Sequence, residues 1–374
     1  MSRERERRRV RERPRGPGLR PRAVAGPLLL ALAGAGLGGG PVASADEKPR
    51  AERATQLTAD VRHSVNRGFS YLLRRQKATR SFQNDPYPVA VNALFGLALL
   101  ASGTTETTGP KPEYVEALKR CTTTVLAYQE PSGYFHDTGS RMYGHGFATL
   151  FLAELYGMSP GRNEQVRDAL RRAVELIERS QRKEGGWDYE PLLGTGGHQE
   201  ASDTSITVCQ TMALRAARNL GILVDEKVVS LARKYIRSAQ NEDGGFRYRS
   251  GGLYGMQSSE FPRSAAGVCI LYSLGEYSSP EIKRGLRYLE DHYRESNNFP
   301  FYAQYYCSQA MFQVGGREWR AYYDWARERL LADQRKDGSW QARALQFEKN
   351  PDQTTSMALI VLQLPYRFLP IHER

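Results

Sequence analysis

A seven-residue pattern, Gln-x-x-x-Gly-x-aromatic, recurs through this chain at intervals near 50 residues. A fixed long period of this kind sets the architecture before any single residue is considered. Four copies are complete: Gln129…Gly133…Phe135, Gln181…Gly185…Trp187, Gln240…Gly244…Phe246 and Gln334…Gly338…Trp340. Two degenerate copies keep the register. Gln76…Arg80…Phe82 loses the glycine, and Tyr293…Asn297…Phe299 keeps the aromatic with an Asn in the glycine's place, a residue that tolerates a left-handed backbone. Successive starts lie 53, 52, 59, 53 and 41 residues apart.

Every copy holds the same place between two helical patterns. Before it runs an amphipathic stretch rich in Arg and Glu, as in Arg162–Arg179, where Val166, Leu170, Val174 and Ile177 share one face. After it comes a loop, then a more uniformly apolar helix: Val89–Ala101, Phe147–Tyr156, Ile206–Ala216, Ala265–Leu274, Tyr305–Gln313 and Ser356–Leu364. A helix apolar on most faces must be buried. Six amphipathic helices alternating with six buried ones predict an all-α fold, an (α/α)6 toroid of six helix-pair repeats. Open stacks of helix pairs such as tetratricopeptide arrays repeat nearer every ~34 residues. The glycine suits a helix end, the Gln can bridge loose backbone groups, and the aromatic can pack over the turn.

These repeats resemble the QW motifs of squalene–hopene and oxidosqualene cyclases and the related repeats of protein prenyltransferase β subunits, across Thr55 to about Pro365. The resemblance implies the terpenoid cyclase and prenyltransferase toroid. It also implies an apolar, isoprenoid-like ligand in a central cavity and, for the cyclases, proton donation by an aspartic acid among aromatic faces. Ala201-Ser202-Asp203-Thr204-Ser205 is similar to the acid-bearing Val-Ser-Asp-Cys-Thr element of oxidosqualene cyclases, which would make Asp203 the catalytic acid. The Asp-x-Asp-Asp of squalene–hopene cyclases fits less well, because Glu200-Ala201-Ser202-Asp203 has Ser where an acid belongs. The zinc-binding Asp-x-Cys of the prenyltransferases and the Cys-Gly-Glu-Gln of thioester toroids are missing from the sequence. No metal ligand set is expected, and no cofactor.

Asp203 has a second reading. It directly precedes a buried helix, where Asp serves as an N-cap, and Asp352 opens the sixth buried helix in the same way. In a closed double ring, the loops before the inner helices gather at one mouth. That placement nominates Tyr143, His145, His198, Glu200, Arg263, Tyr302, Tyr306, Asp352 and Gln353 as ligand-binding, with Tyr87 and Gln304 beside them. His145 lies between Gly144 and Gly146, which let the backbone approach a ligand or the next helix. Arg263, after Glu260, suits an anionic group or a salt bridge.

Charge bears on partners. The net charge is +12, but residues 1–22 carry ten Arg and three Glu, so most of the excess is in a leader. No helix interleaves Lys and Arg with aromatics, so nucleic acid is not expected. The leader continues into an uncharged run from Ala23 to Leu37 and ends in Ala43-Ser44-Ala45, the form of a cleavable export signal. Its apolar core is too short and glycine-rich to persist as a membrane span. The expected organisation is a signal peptide at 1–45, a linker at 46–54 and the toroid at 55–374. The mature chain would then lie in the periplasm or outside the cell, with no transmembrane span and membrane-surface contact left open. The four cysteines fall in helical stretches and read as buried thiols. Three functional readings follow: an isoprenoid-type binder with cyclase-like acid chemistry, a non-enzymatic module binding protein or glycan, and a glycan-active barrel. The last would pair Glu200 with Asp203 or Asp352.

Overall fold

Two kinds of helix alternate along the chain, and their burial differs as their sequences do. The computed structural model describes residues 58–161, 163–194, 202–249, 257–295, 297–343 and 348–372. The leader, the linker and Ala43-Ser44-Ala45 lie outside the described residues, as do His198 and Glu200. Among the described residues there are twelve α-helices. The outer set is α1 (Ala59–Ala78), α3 (Pro112–Ala127), α5 (Glu164–Arg179), α7 (Glu226–Ala239), α9 (Pro280–His292) and α11 (Gly316–Asp333). The inner set is α2 (Pro88–Ala101), α4 (Arg141–Met158), α6 (Thr204–Asn219), α8 (Phe261–Ser273), α10 (Pro300–Val314) and α12 (Pro351–Gln363).

The apolar spacing decides which ring a helix joins. In α5 only one face is buried, through Val166, Ala169, Leu170, Ala173, Val174, Leu176 and Ile177. In α2 every residue from Pro88 to Ala101 is buried, because the helix has neighbours all round. Each inner helix packs on the next, and α12 packs on α2, which closes the ring. The fold is an (α/α)6 toroid. No described helix is long and apolar enough to cross a membrane. The four cysteines are buried and unpaired with one another.

The recurring motif turns out to clip adjacent repeats together. The Gln181 amide donates 2.8 Å bonds both to the Gly185 carbonyl in its own turn and to the Val228 carbonyl on the next outer helix, α7. Gln129 does the same towards Ala169 of α5, Gln240 towards Glu281 of α9, and Gln334 towards Ser64 of α1. The last of these joins the sixth repeat to the first. Gly185 is glycine for two reasons. Its φ is +103°, and a Cβ there would lie 2.1 Å from the Leu231 carbonyl oxygen.

The degenerate copies solve the same problem differently. Gln76 lies inside the last turn of α1 and still reaches the Ala117 carbonyl of α3, while Arg80, Ser81 and Phe82 all take positive φ without a glycine. At the fifth copy the Asn297 side chain accepts the Phe299 N–H at 3.0 Å. Tyr293 replaces the Gln clip by packing edge-on against Tyr322 and Trp325 of α11, with ring centroids 5.3 and 5.1 Å away.

One end of the inner ring is closed by the chain's own C-terminal segment. Two short 3-10 turns, Leu364–Tyr366 and Pro370–His372, follow α12. The Ile371 N–H donates to the buried Glu154 carboxylate of α4 at 3.1 Å, and Gln313 of α10 donates to the His372 carbonyl at 3.0 Å. The other end carries the first turns of the inner helices and holds a cavity among the described residues.

Candidate functional site

The open end holds a cavity of about 730 Å³, within the usual range for small-molecule sites. Its walls come from the first turns of α2, α4, α10 and α12 and from the segments before them. Tyr87, Tyr143, Phe147, Tyr189, Phe299 and Tyr302 present aromatic surface, with Met357 below. Ser140, Arg141, Glu348, Lys349, Asn350 and Gln353 supply polar groups. Tyr143 meets Tyr189 edge-on at 5.9 Å, and Tyr302 meets Tyr306 edge-on at 4.7 Å. The Tyr302 hydroxyl is buried and has no hydrogen-bond partner among the described residues.

Of the nominated residues, Tyr143, Tyr302 and Gln353 line this cavity, as does Tyr87. The others do not. Tyr306 is fully buried behind Tyr302, its hydroxyl 3.2 Å from the Cys209 sulfur. His145 is fully buried, and both ring nitrogens are engaged by backbone: Nδ1 accepts the Phe135 N–H and Nε2 contacts the Ala173 carbonyl, each at 3.2 Å. Thr207, Ser264 and Thr355 accept the motif aromatic's N–H in the other complete repeats, so His145 fills a recurrent structural slot. Burial drives its pKa down to about 3 and keeps it neutral. The flanking Gly146 admits the next inner helix, since a Cβ there would lie 2.6 Å from the Cys209 Cβ. Arg263 pairs with Glu260 at 2.8 Å and lies over Tyr248, so it is held away from the cavity.

Asp352 requires a second correction. The cap of α12 is Asn350, whose side chain accepts the N–H groups of Asp352 and Gln353 at 3.0 and 3.2 Å. Asp352 is buried and turned outward, where its carboxylate takes Arg75 of α1 at 2.8 Å. It serves the junction between the first and last repeats and not the cavity.

Asp203 does cap α6. Its Oδ1 accepts the N–H groups of Ser205 and Ile206 at 2.7 and 3.4 Å, and the Ser205 hydroxyl at 2.5 Å. The carboxylate is fully buried and does not line the cavity. It is connected to the cavity, however. The Tyr143 hydroxyl donates to Ser205 Oγ at 2.6 Å, which donates in turn to Asp203. A second aromatic pair lies alongside: Tyr189 and Tyr248 share a 2.8 Å bond, and Tyr248 is close enough to influence the carboxyl, although Asp203 Oδ2 has no partner of normal hydrogen-bond geometry. Burial raises the Asp203 pKa against the lowering effect of these hydroxyls and of Arg249. Burial also keeps Tyr143 and Tyr302 protonated far into the alkaline range.

Glu348 was not anticipated. Its carboxylate lies on the cavity wall, and its two oxygens accept the Phe301 and Tyr302 N–H groups at 2.8 and 2.7 Å, capping α10 from a distant segment. Some of its surface still faces the cavity, but the enclosure is tight enough that burial lifts its pKa to about 7, while the two amides pull the other way. Among the described lining residues it is the one carboxylate.

No protein-family model matches the chain, and no curated protein matches it in sequence. Solved structures do match in shape. A type II terpene cyclase from Scytonema, in complex with geranylgeranyl dihydroxybenzoate as substrate, superimposes with a TM-score of 0.55 at 16% identity, over 83% of this chain and 98% of that one. A GH76 α-mannanase from Bacteroides thetaiotaomicron gives 0.58 at 10% identity, over 82% and 96%. An unsaturated glucuronyl hydrolase from Bacillus sp. GL1, responsible for the degradation of glycosaminoglycan, gives 0.58 at 13% identity, over 81% and 96%. At these identities the likeness concerns fold. The chain has a terpenoid-cyclase-like α/α toroid, an architecture that also carries glycan-active enzymes.

Proposed function

We propose that this chain binds an elongated, apolar, isoprenoid-like ligand in its central cavity and can donate a proton to it through Tyr143. The carrying observation is the cavity walled by Tyr87, Tyr143, Phe147, Tyr189, Phe299 and Tyr302. Aromatic faces favour apolar chains and stabilise developing positive charge. The far end of the ring is stoppered by the C-terminal segment, so a ligand enters and leaves by one route.

Tyr143, Ser205 and Asp203 form the acid part of this reading. With Asp203 ionised, the hydroxyls point towards it, as seen. With Asp203 protonated, rotation of the Ser205 and Tyr143 hydroxyls reverses the chain, and Tyr143 donates into the cavity. A carboxyl held above its ordinary range keeps its proton to higher pH but releases it less readily. Such a chain suits an oxygen acceptor, as in an epoxide or carbonyl, better than a bare alkene.

The glycan-active reading needs a second carboxyl at a suitable distance from Glu348. Asp352 is committed to Arg75, which favours the isoprenoid-like reading. Export is proposed with it on the strength of the leader, and N-terminal sequencing of secreted material should then begin near Asp46.

The test is equilibrium binding and product analysis with geranylgeraniol and its terminal epoxide on wild type, Tyr143→Phe and Asp203→Asn. Both variants keep the fold, because Asn caps nearly as well as Asp. Wild type should bind both ligands and convert the epoxide, while each variant binds and converts at least a hundredfold more slowly. Equal conversion by all three discards the hydroxyl chain; no binding by wild type discards the cavity reading.

A further inference from the structure

A second pocket, of about 410 Å³, lies between α10 and α11 on the far side of the α10 first turn. Its charge is one-sided. Arg329 comes from α11, Arg335 from the motif turn that follows, and Arg343 and Lys349 from the segments leading to α12, against Asp333 alone. Arg329 and Arg343 share that carboxylate at 3.3 and 3.6 Å, longer than the roughly 2.7–2.9 Å of a tight charge-assisted bond. Arg335 makes no ion pair among the described residues, although Asp337 lies within its electrostatic reach, and four lining cations against one lining carboxylate leave a net positive field over a concave surface.

A second observation comes from the pocket lining. Gln304 of α10 is 8% exposed, it lines the pocket, and its buried Oε1 has no hydrogen-bond partner among the described residues. An unmet acceptor in such a place costs about 1–3 kcal/mol unless something donates to it. A bare oxyanion brings only acceptors. A ligand that satisfies both the arginines and Gln304 carries an oxyanion and a hydroxyl together.

We propose that this pocket, which shares only Lys349 with the described lining of the central cavity, is a ligand site for a phosphate- or sulfate-bearing polyol, with the arginines on the oxyanion and Gln304 accepting from a hydroxyl. The same chemistry occurs in free polyol phosphates and in the head groups of glycerol lipids. The probes are glycerol 3-phosphate, methyl phosphate as the analogue without hydroxyls, and lysophosphatidic acid as the lipid form, titrated calorimetrically into the full chain at low ionic strength. Glycerol 3-phosphate should bind at least threefold more tightly than methyl phosphate. Arg335→Glu should weaken both at least tenfold, and Gln304→Leu should remove only the difference between them, with an unchanged melting temperature. Tighter binding of lysophosphatidic acid identifies a lipid source, and equal or weaker binding a free polyol phosphate; the site stands in either case. Met357→Trp, which fills the central cavity, should leave glycerol 3-phosphate binding as it was, so failure there and failure here are separate results. Absence of binding by both phosphates, or equal affinities in wild type and Arg335→Glu, overturns the proposal.

Discussion

The two ends of the inner ring are built from the same six helices, yet one is filled by the chain itself and the other holds a cavity. At the closed end, Glu154 and Gln313 bond the C-terminal turns, Leu364, Leu369 and Ile371 are buried, and the His372 Nε2 is buried with no hydrogen-bond partner among the described residues. At the open end, the Tyr302 hydroxyl is left without a partner, Glu348 is held where charge is disfavoured, and aromatic faces line empty volume. A structure that packs its own chain into one end and leaves an aromatic-walled cavity at the other concentrates stability in the first and binding in the second.

Removing the closure should therefore be the most damaging change. Deleting 364–374 exposes Leu364, Leu369 and Ile371 as well as the ring end they cover, at a cost on the order of 5 kcal/mol. Thermal melts should drop by about 10 °C or more. A truncated chain that melts with the full one would erase the distinction between the ends. Next in size, Glu154→Ala orphans the Ile371 N–H and should cost about 2 kcal/mol while leaving ligand affinity alone.

The pH dependence sharpens the contrast, because each end has a buried group shifted in a characteristic direction. Glu348 at the mouth is raised from 4.5 to about 7, so the folded chain holds this proton more tightly than the unfolded one. Its effect on stability is a loss as pH rises from 4.5 to 7. His372 at the closure is lowered from 6.5 to about 3 by burial, so the unfolded chain takes this proton first. Stability is lost as pH falls from 6.5 towards 3, with His145 contributing in the same sense. Melting temperatures between pH 3 and 8 should show Glu348→Gln flattening the upper window and His372→Gln reducing the slope of the lower. Unchanged slopes would mean that neither group is held as described. The smallest stability effect is expected for Tyr302→Phe, within about 0.5 kcal/mol, because the lost hydroxyl has no partner to orphan.

Much of the ring was legible in the sequence because its organising contact is local and repeated. Each Gln closes a turn only four residues long, and each complete copy needs glycine for the same close approach. The site was less legible because the mouth is not sixfold. Asp203 and Asp352 occupy similar places ahead of inner helices, but Asn350 stands two residues before Asp352 and takes the cap, while Arg75 arrives from the first repeat to take the carboxylate. Glu348 gave no local signal, since the amides that it accepts are 46 and 47 residues away. His145 carried a signal that pointed to chemistry, yet its ring does what a Thr or Ser hydroxyl does in the other complete repeats. For Asp352 and Glu348 a deciding partner comes from another helix pair.

Titration of geranylgeraniol into wild type and Met357→Trp addresses the central cavity most directly. Met357 lines its wall and is 5% exposed, so an indole there occupies the volume in which a ligand would lie. Wild type should form a saturable one-to-one complex, and the variant should bind at least tenfold more weakly while melting within a few degrees of wild type. Equal affinity in the two proteins, or uptake that never saturates, would contradict binding in the central cavity.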